Sequence, residues 1–334
     1  MKQKRTCIGL DIGRSAVKIV ARHGKGEKAE LVFPSAFSPA RRITDEHEAR
    51  RSAAETVEVN GKAYFVGETA LLQGRDDLIS GLTDDWAMSD QHAALVLASF
   101  KKLAEMGVPN VDRALVVVGL PARLFAHQKN EYLAQVSELV KQGEVKVVPQ
   151  SLGPYYSMMF DAAGLQESDF DSDDSSWGII EVGQYTTDFA LVQRGRPIEH
   201  AFDSCEGMQR AATDLQPLIM RKFKIQPSMT ESTNLLANPV MKHYGEKRDV
   251  TVEVRAAATQ LTQTIMDKAN QVFGDRTRSM DGIRVAGGGA PLVIEALKEK
   301  WPNASMADNS RFTVADGFCR FALGLENYRS SQGE

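Results

Sequence analysis

An internal repeat constrains the fold of this chain more than any other feature of its sequence. The segment IGLDIGRSAVKIV, residues 8–20, aligns with IIEVGQYTTDFAL, residues 179–191, when Asp11 is placed on Glu181. Each copy reads as an apolar strand that ends in a carboxylate, then any residue and a glycine, then a second apolar strand. Two such hairpins indicate that the chain consists of two similar halves.

Strands alternate with helices in both halves. The run ALVVVGLP at residues 114–121 is continuously apolar, which is typical of a parallel strand covered on both faces. Helices are predicted after an N-cap at Ser89, at residues 127–142 and at residues 151–163. Apolar residues at helical spacing predict a long helix over residues 254–272. This alternation predicts an α/β fold.

An acidic segment marks the divide between the halves. Residues 167–174 hold five carboxylates in eight positions, which is too polar for a core and predicts a solvated loop. We therefore predict a first lobe over residues 1–165 and a second lobe over residues 166–314.

The first lobe is expected to contain a small charged subdomain at about residues 35–85. A hairpin is predicted in it around Asn60 and Gly61, a dipeptide that favours two-residue turns. Residues 40–60 are otherwise charged, so we expect no fixed conformation there and assign them no chemistry.

Charge and composition argue against several classes of protein. The chain of 334 residues has a formal net charge of −4, so it lacks the basic field that would bind nucleic acid directly. Three widely separated cysteines indicate neither a disulfide framework nor a zinc site, which favours a reducing compartment. The six histidines show no metal-ligand spacing, so we expect them at surface or capping positions. No signal peptide and no run of about 18 apolar residues is recognisable, which predicts a cytoplasmic protein with no membrane partner.

The two hairpin turns and a later glycine run have the composition of a phosphate-binding site. Successive N–H groups in a tight turn can hold phosphate oxygens, and a carboxylate just before the turn can hold a hydrated magnesium ion. The run Gly287-Gly288-Gly289 leaves room for a flat base or a phosphate, and Pro291 stands in the first turn of the helix that follows. Each feature alone also fits a plain turn, whereas the combination favours a ligand site.

These motifs resemble those of the actin-like ATPase superfamily, which includes sugar kinases, heat-shock chaperone ATPases and actins. Order and spacing most resemble the bacterial plasmid-segregation family ParM/StbA. The resemblance implies two similar lobes of the ribonuclease H-like fold with a nucleotide cleft between them. The segment FTVADGFCRFALG resembles the final helix of that family, which implies that a helix at about residues 315–330 returns the chain to the first lobe.

The resemblance also implies the site residues and their ligands, which are ATP or ADP with Mg²⁺. The nucleotide would be bound by Asp11, Gly13, Arg14, Ser15, Ala16 and Lys18 of the first loop, by Gly183, Gln184, Tyr185, Thr186 and Thr187 of the second, and by Gly207, Gly287, Gly288, Gly289 and Pro291. The catalytic residues would be Gln150, Glu181 and Asp11, with Gln150 positioning the attacking water and the two carboxylates holding Mg²⁺ through water.

Several of these residues also have plainer interpretations. Gln150 can be a hydrogen-bonding residue at a helix start, and Lys18 a solvated strand lysine. Asp188, at the end of the second loop, can be merely solvent-facing. The second loop of the family usually begins with aspartate and has two glycines, whereas Glu181 and Gln184 stand here, so metal geometry or hydrolysis rate can differ.

The function implied is an ATPase whose hydrolysis is coupled to the turnover of head-to-tail filaments. In the ParM/StbA family such filaments segregate plasmid DNA through a small DNA-binding adaptor, so the expected partners are further copies of the chain and such an adaptor. Two alternatives remain open: a non-polymerising ATP-binding module of a bacterial assembly, and a small-molecule kinase of the same superfamily.

Overall fold

The fold is given by a computed structural model that describes residues 5–23, 26–74 and 85–332. Residues 75–84, at the end of the charged subdomain predicted at about 35–85, lie outside the described residues. Within the described part of the chain, no helix is long and apolar enough to cross a bilayer.

The described residues form sixteen strands and ten α-helices in two compact units. The strands are β1 (Cys7–Ile12), β2 (Ala16–His23), β3 (Glu27–Pro34), β4 (Phe37–Pro39), β5 (Thr56–Val59), β6 (Lys62–Val66), β7 (Leu115–Leu120), β8 (Glu144–Pro149), β9 (Ser176–Val182), β10 (Thr186–Gln193), β11 (Arg196–Pro197), β12 (Asp203–Glu206), β13 (Val240–His243), β14 (Glu246–Asp249), β15 (Gly282–Ala286) and β16 (Ala304–Met306). The helices are α1 (Glu46–Ala54), α2 (Gly67–Gln73), α3 (Asp90–Glu105), α4 (Ala122–Val140), α5 (Gly153–Met159), α6 (Met208–Phe223), α7 (Met229–Ala237), α8 (Thr251–Phe273), α9 (Ala290–Lys300) and α10 (Thr313–Gln332). The first unit comprises Met1–Asp169 and Val314–Glu334, and the second comprises Phe170–Thr313.

The sheet of the first unit has the strand order β3-β2-β1-β7-β8. β1 and β2 form an antiparallel hairpin, whereas β1, β7 and β8 run parallel. β7 is the apolar run predicted at residues 114–121, and five of its six residues are buried, as expected for a strand covered on both faces. Helix α3 begins after Ser89, whose hydroxyl accepts a hydrogen bond from the N–H of His92, so the predicted N-cap is confirmed.

The sheet of the second unit repeats this topology. Its order is β11-β10-β9-β15-β16, and β12 pairs with the first residues of β10. β9 and β10 form an antiparallel hairpin, while β9, β15 and β16 run parallel. The long helix predicted over residues 254–272 is α8, whose apolar face lies in the core of this unit. The predicted α/β fold of two similar lobes is confirmed.

A three-stranded sheet in the order β4-β6-β5 lies within the charged subdomain. Asn60 and Gly61 have φ of 52° and 73°, as a type I′ turn requires, so the hairpin predicted there is confirmed. The expectation of no fixed conformation over residues 40–60 is wrong. Helix α1 forms there because the Asp45 side chain accepts a hydrogen bond from the N–H of Glu48 and caps the helix start.

Two predicted helices have different bounds in the structure. The helix predicted at residues 127–142 already begins at Ala122, directly after Pro121, and no side chain caps its start. The helix predicted at residues 151–163 is only the short α5. The chain leaves the helical conformation at Phe160, which pairs with Gln166 in an isolated bridge.

Helix α10 packs closely against other elements of the first unit. A Cβ on Gly9 of β1 would lie 1.9 Å from the carbonyl oxygen of Ala315, and one on Gly317 would lie 1.8 Å from that of Gly153 in α5. Because real Cβ atoms do not approach so closely, these glycines let the helix backbone lie directly on β1 and α5.

Candidate functional site

Hydrogen bonds to its carbonyl oxygens hold the turn of the first hairpin in place. The Ser35 hydroxyl donates to the carbonyl of Gly13, and the Ser35 N–H donates to that of Ser15 at 3.0 Å. In a trans peptide the following N–H points away from the carbonyl, so the N–H groups of Arg14 and Ala16 face away from Ser35. The turn therefore directs amide donors to one side, as a phosphate-binding turn must.

Gly13 is required by the geometry of this turn. A Cβ there would lie 2.9 Å from the carbonyl oxygen of Ala16 and 3.2 Å from Nζ of Lys18. The Lys18 ammonium group therefore stands beside the turn, next to the amides that the turn presents.

Asp11, Lys18 and Gln150 form one hydrogen-bonded cluster in the first unit. The Asp11 side chain is only 2% exposed, and its Oδ2 accepts from Nζ of Lys18 at 2.9 Å. Its Oδ1 accepts from Nε2 of Gln150 at 2.7 Å. Lys18 is thus held in an ion pair and is not a solvated strand lysine.

The amide of Gln150 has a defined direction. Only its NH₂ group can donate to the carboxylate of Asp11, so its Oε1 is turned away from that carboxylate and can accept a hydrogen bond from water. Gln150 lies in a 3₁₀ turn directly after β8, which places it at the carboxyl end of a strand parallel to β1. Ligands of α/β sheets are commonly bound at this end of the strands.

Aromatic side chains and a histidine pack around the first turn. The guanidinium of Arg14 lies 5.7 Å from the ring centroid of Trp86, which packs edge to face against His92. His92 shares a 3.2 Å hydrogen bond with the hydroxyl of Tyr132. Burial raises the pKa of Tyr132, and the charge of Asp11 adds to this effect.

The expectation that all histidines occupy surface or capping positions is wrong for His92. It is buried on the core face of α3 together with Val96 and Leu103. Burial lowers its pKa to about 3, so the imidazole is neutral near pH 7.

Hydrogen bonds from N–H groups at the start of α6 hold the turn of the second hairpin in place in the same way. Three of its carbonyl oxygens accept from consecutive N–H groups: Gly183 from Met208 at 3.0 Å, Gln184 from Gln209 at 2.7 Å, and Tyr185 from Gly207 at 3.0 Å. The N–H groups of Gln184, Tyr185 and Thr186 therefore point away from α6. A Cβ on Gly207 would lie 2.7 Å from the carbonyl oxygen of Gly183, so Gly207 supports the turn directly.

The carboxylates below the second turn form an acidic pair. Glu181 and Asp188 are partners in the β9–β10 register, and their exposed fractions are 5% and 9%. The equivalent pair in the first unit is Asp11 with Lys18, so the second unit has two acids where the first has an acid and a base. Carboxylate oxygens are the ligands that Mg²⁺ prefers, and Glu181 therefore fits the predicted role.

The interpretation of Asp188 as a merely solvent-facing residue is wrong. It is buried, and it accepts a hydrogen bond from the hydroxyl of Thr186 at 3.0 Å. The sequence feature that could have indicated its burial is its position opposite Glu181 in the hairpin. Among the described residues, no group of three or more His, Cys, Asp and Glu side chains could hold a metal ion.

The two adjacent threonines of β10 have different environments. Thr186 is exposed at the start of the strand, whereas Thr187 is buried and its hydroxyl donates to the carbonyl of Glu206 at 3.0 Å. The predicted contact of the Thr187 side chain with a nucleotide therefore does not fit the structure, because the pairing of β10 with β12 occupies its hydroxyl.

The glycine run packs against the second hairpin. Gly287 has φ of 89°, and a Cβ there would lie 2.4 Å from the carbonyl oxygen of Val182 and 2.7 Å from Oε1 of Glu181. Gly289 is equally enclosed, whereas Gly288 is exposed and its Cβ position meets only the end of Met208 at 3.5 Å. Helix α9 begins directly afterwards with proline in its first turn, as predicted.

Two supporting residues were not predicted from the sequence. Ser35 holds the first turn, and Thr233 of α7 accepts a 3.1 Å hydrogen bond from Nε2 of Gln184. Gln184 stands where the family usually has a second glycine, and here its side chain ties the second turn to α7. Contacts between residues so distant in sequence leave no local pattern.

Comparison with known proteins agrees with this arrangement. The family model of the N-terminal domain of actin-like proteins matches residues 9–153, and the model of the C-terminal part of the archaeal MreB-like actin homologue matches residues 179–299. These spans contain the turns of both hairpins and the glycine run. The chain therefore contains actin-like ATPase domains, and its fold is the two-lobed actin-like ATPase fold.

Solved structures of actin homologues have the same fold. A non-polymerisable quadruple mutant of pCBH ParM is 21% identical with a TM-score of 0.71, over 95% of this chain and 99% of that chain. A 15-stranded ParM filament from Clostridium botulinum is 20% identical with a TM-score of 0.71, over 96% and 99%. Ta0583, an archaeal actin homolog in complex with ADP, is 17% identical with a TM-score of 0.72, over 94% and 98%. None of the curated proteins matches significantly.

Proposed function

We propose that this chain is a cytoplasmic ATPase that binds ATP with Mg²⁺ and polymerises into ATP-dependent filaments. The observation that carries the proposal is the pair of hairpin turns. Each turn has its carbonyls fixed on one side, and a buried carboxylate lies at the end of the strand before it. Phosphoryl transfer depends mostly on positioning and charge neutralisation, which such turns supply.

The residues of the first unit have distinct roles in this proposal. The N–H groups of Arg14 and Ala16 bind phosphate oxygens, and Lys18 adds positive charge while it remains paired with Asp11. Gln150 orients the attacking water through Oε1, since its NH₂ is engaged by Asp11. Gln150 is thus placed by the same carboxylate that holds Lys18.

The second unit contributes further N–H groups and the acidic pair. Glu181 holds Mg²⁺ through water, and Asp188 opposite it adds negative charge that favours a cation. Mg²⁺ neutralises developing phosphate charge when bound. The exposed Gly288 leaves space for the flat adenine base, whereas the enclosed Gly287 and Gly289 shape the turn.

Filament formation is supported by the fold and by the relatives that share it. A ParM from Clostridium botulinum with this fold is a 15-stranded filament. We propose that filaments of this chain segregate plasmid DNA through a small DNA-binding adaptor, because a net charge of −4 offers no basic field for direct contact with DNA.

The experiment that tests this function has two parts. Titration calorimetry with Mg²⁺-ATP, Mg²⁺-ADP and adenosine measures how much of the affinity comes from the phosphates, and light scattering with electron microscopy detects filaments. We expect ATP to bind far more tightly than adenosine and to induce filaments. Equal affinities for ATP and adenosine would contradict the assignment of the turns to phosphate binding. Tight ATP binding without filaments at any protein concentration would favour the non-polymerising module.

A further inference from the structure

The β13–β14 hairpin of the second unit has an unusual exposed face. Its turn, Tyr244-Gly245, has φ of 47° and 87°, which fits a two-residue type I′ turn. Met241 and His243 point inward, and the ring of His243 lies 6.0 Å from that of Phe223. Alternation then directs the other residues of β13 outward.

The outward face brings two lysines together. Lys242 and Lys247 are direct partners in the antiparallel register, and both are exposed. Like charges directly opposite each other destabilise a hairpin. Within the described residues, neither lysine lies within 4 Å of a carboxylate oxygen. The neighbouring carboxylates are engaged elsewhere: Glu246 pairs with Arg248, and the Asp249 side chain accepts a hydrogen bond from the N–H of Thr251.

Apolar groups flank this pair of lysines. Tyr244 at the tip of the hairpin is 96% exposed, and Val240 at its base is 44% exposed. An exposed tyrosine beside positive charge is typical of a contact residue in protein interfaces. The face therefore fits an acidic protein segment.

The chain itself contains such a segment. Residues 167–174 carry five carboxylates and no basic residue, and all five carboxylate residues are exposed. The segment is ordered by a turn in which Oδ1 of Asp171 accepts from the N–H groups of Asp173 and Asp174. Its negative charges are thus concentrated on a defined loop.

We propose that the Lys242–Lys247 face of one copy binds the acidic segment 167–174 of the next copy in the filament. This inference rests on the proposed polymerisation. The two surfaces are different parts of one chain, so the contact is heterologous and repeats from copy to copy. Each contact relieves the repulsion between the lysines and that among the carboxylates.

Charge reversal tests the contact. The double variant K242E/K247E places two acids against the acidic segment, and juxtaposed like charges oppose binding in an interface. We expect the critical concentration for ATP-dependent filament formation to rise by at least about tenfold, while the affinity for ATP stays unchanged. The variant D173K/D174K should have the same effect. K298E/K300E, which reverses two exposed lysines of α9, is the control for the same change in net charge and should polymerise normally.

Exchanging the charges across the contact distinguishes a direct pairing of the two surfaces from a general effect of surface charge. A chain that carries K242E/K247E and D173K/D174K together should polymerise near the wild-type concentration, because each surface again meets its opposite charge. Failure of this restoration would overturn the assignment of the acidic segment.

The wild-type chain separates failure of the contact from failure of the proposed function. If the wild type forms filaments and K242E/K247E forms them equally well, the contact is refuted while the proposed function stands. If the wild type forms no filaments, the proposed function fails first. Thermal unfolding of each variant verifies that it is folded.

Discussion

The ion pair between Lys18 and Asp11 allows a quantitative prediction of stability. Lys18→Met removes the ammonium group but keeps most of the side-chain volume, and it leaves the Asp11 carboxylate, 2% exposed, with only the amide of Gln150 as a donor among the hydrogen bonds described for it. Removing one partner of a buried ion pair costs about 3–5 kcal/mol. Because the Lys18 side chain is 15% exposed and Gln150 still donates, we expect a loss near the lower limit, about 3 kcal/mol.

The double variant Asp11→Asn with Lys18→Met should be more stable than Lys18→Met alone. Neither charge is then left buried and unpaired, so most of the loss should be recovered. The assay is urea unfolding without nucleotide, followed by circular dichroism, for the wild type, both single variants and the double variant. A coupling free energy above about 1 kcal/mol is expected for residues in direct contact.

Lys146→Met is the matched control for this cycle. Lys146 pairs with Glu144 at 3.2 Å, but both side chains are more exposed, so its removal should cost no more than about 1 kcal/mol. If Lys18→Met and Lys146→Met lowered the free energy of unfolding equally, the argument from burial would be refuted. It would also be refuted if the effects of the Asp11 and Lys18 substitutions were simply additive.

Three further predictions concern hydrolysis, backbone geometry and pH. Gln150→Ala should lower the rate of phosphate release by roughly 10²-fold with little change in ATP affinity, because the group that orients water is lost; a normal rate would remove this role. Gly287→Ala should destabilise the protein by about 1–3 kcal/mol in thermal unfolding, because its Cβ would lie 2.4 Å from a backbone oxygen, whereas Gly288→Ala should be tolerated. Hydrogen bonds from Arg329 lower the pKa of Glu144 to about 2 from 4.5, so its contribution to stability is present above pH 4.5 and is lost as pH falls towards 2. The free energy of unfolding of Glu144→Gln should therefore fall less steeply across this range than that of the wild type, and equal slopes would contradict the assignment.

The elements that could be predicted from the sequence are those with local signals. The two hairpins follow from apolar strands around short glycine turns, and β7 follows from its continuous apolar run. The start of α3 follows from a serine at its N-cap. Each of these features depends on residues that are neighbours in the chain, so it could be predicted from a single sequence.

The incorrect predictions concern residues whose environment is set by distant parts of the chain. Burial of His92 depends on how α3 packs, with Tyr132 of α4 at hydrogen-bond distance. The hydroxyl of Thr187 is occupied because β12 pairs with β10, a contact that β-propensity alone does not indicate. Asp188 was recognisable only through its register with Glu181. In each case the environment of the residue is set by tertiary structure and cannot be inferred from the local sequence pattern.

The hydrogen bond between Gln184 and Thr233 is a further example. From the sequence, Gln184 was only a departure from the usual second glycine of the loop. In the structure its side chain joins the turn to α7, the helix that leads to the β13–β14 hairpin. The departure therefore has a structural consequence that its position in the motif did not reveal.

One measurement tests the central claim most directly: sedimentation of the purified protein with Mg²⁺ and ATP, ADP or no nucleotide, with phosphate release followed in the same samples. The account predicts that the protein pellets only with ATP and returns to the supernatant as phosphate accumulates. Pelleting that is independent of nucleotide, or phosphate release with no pellet at any protein concentration, would contradict it.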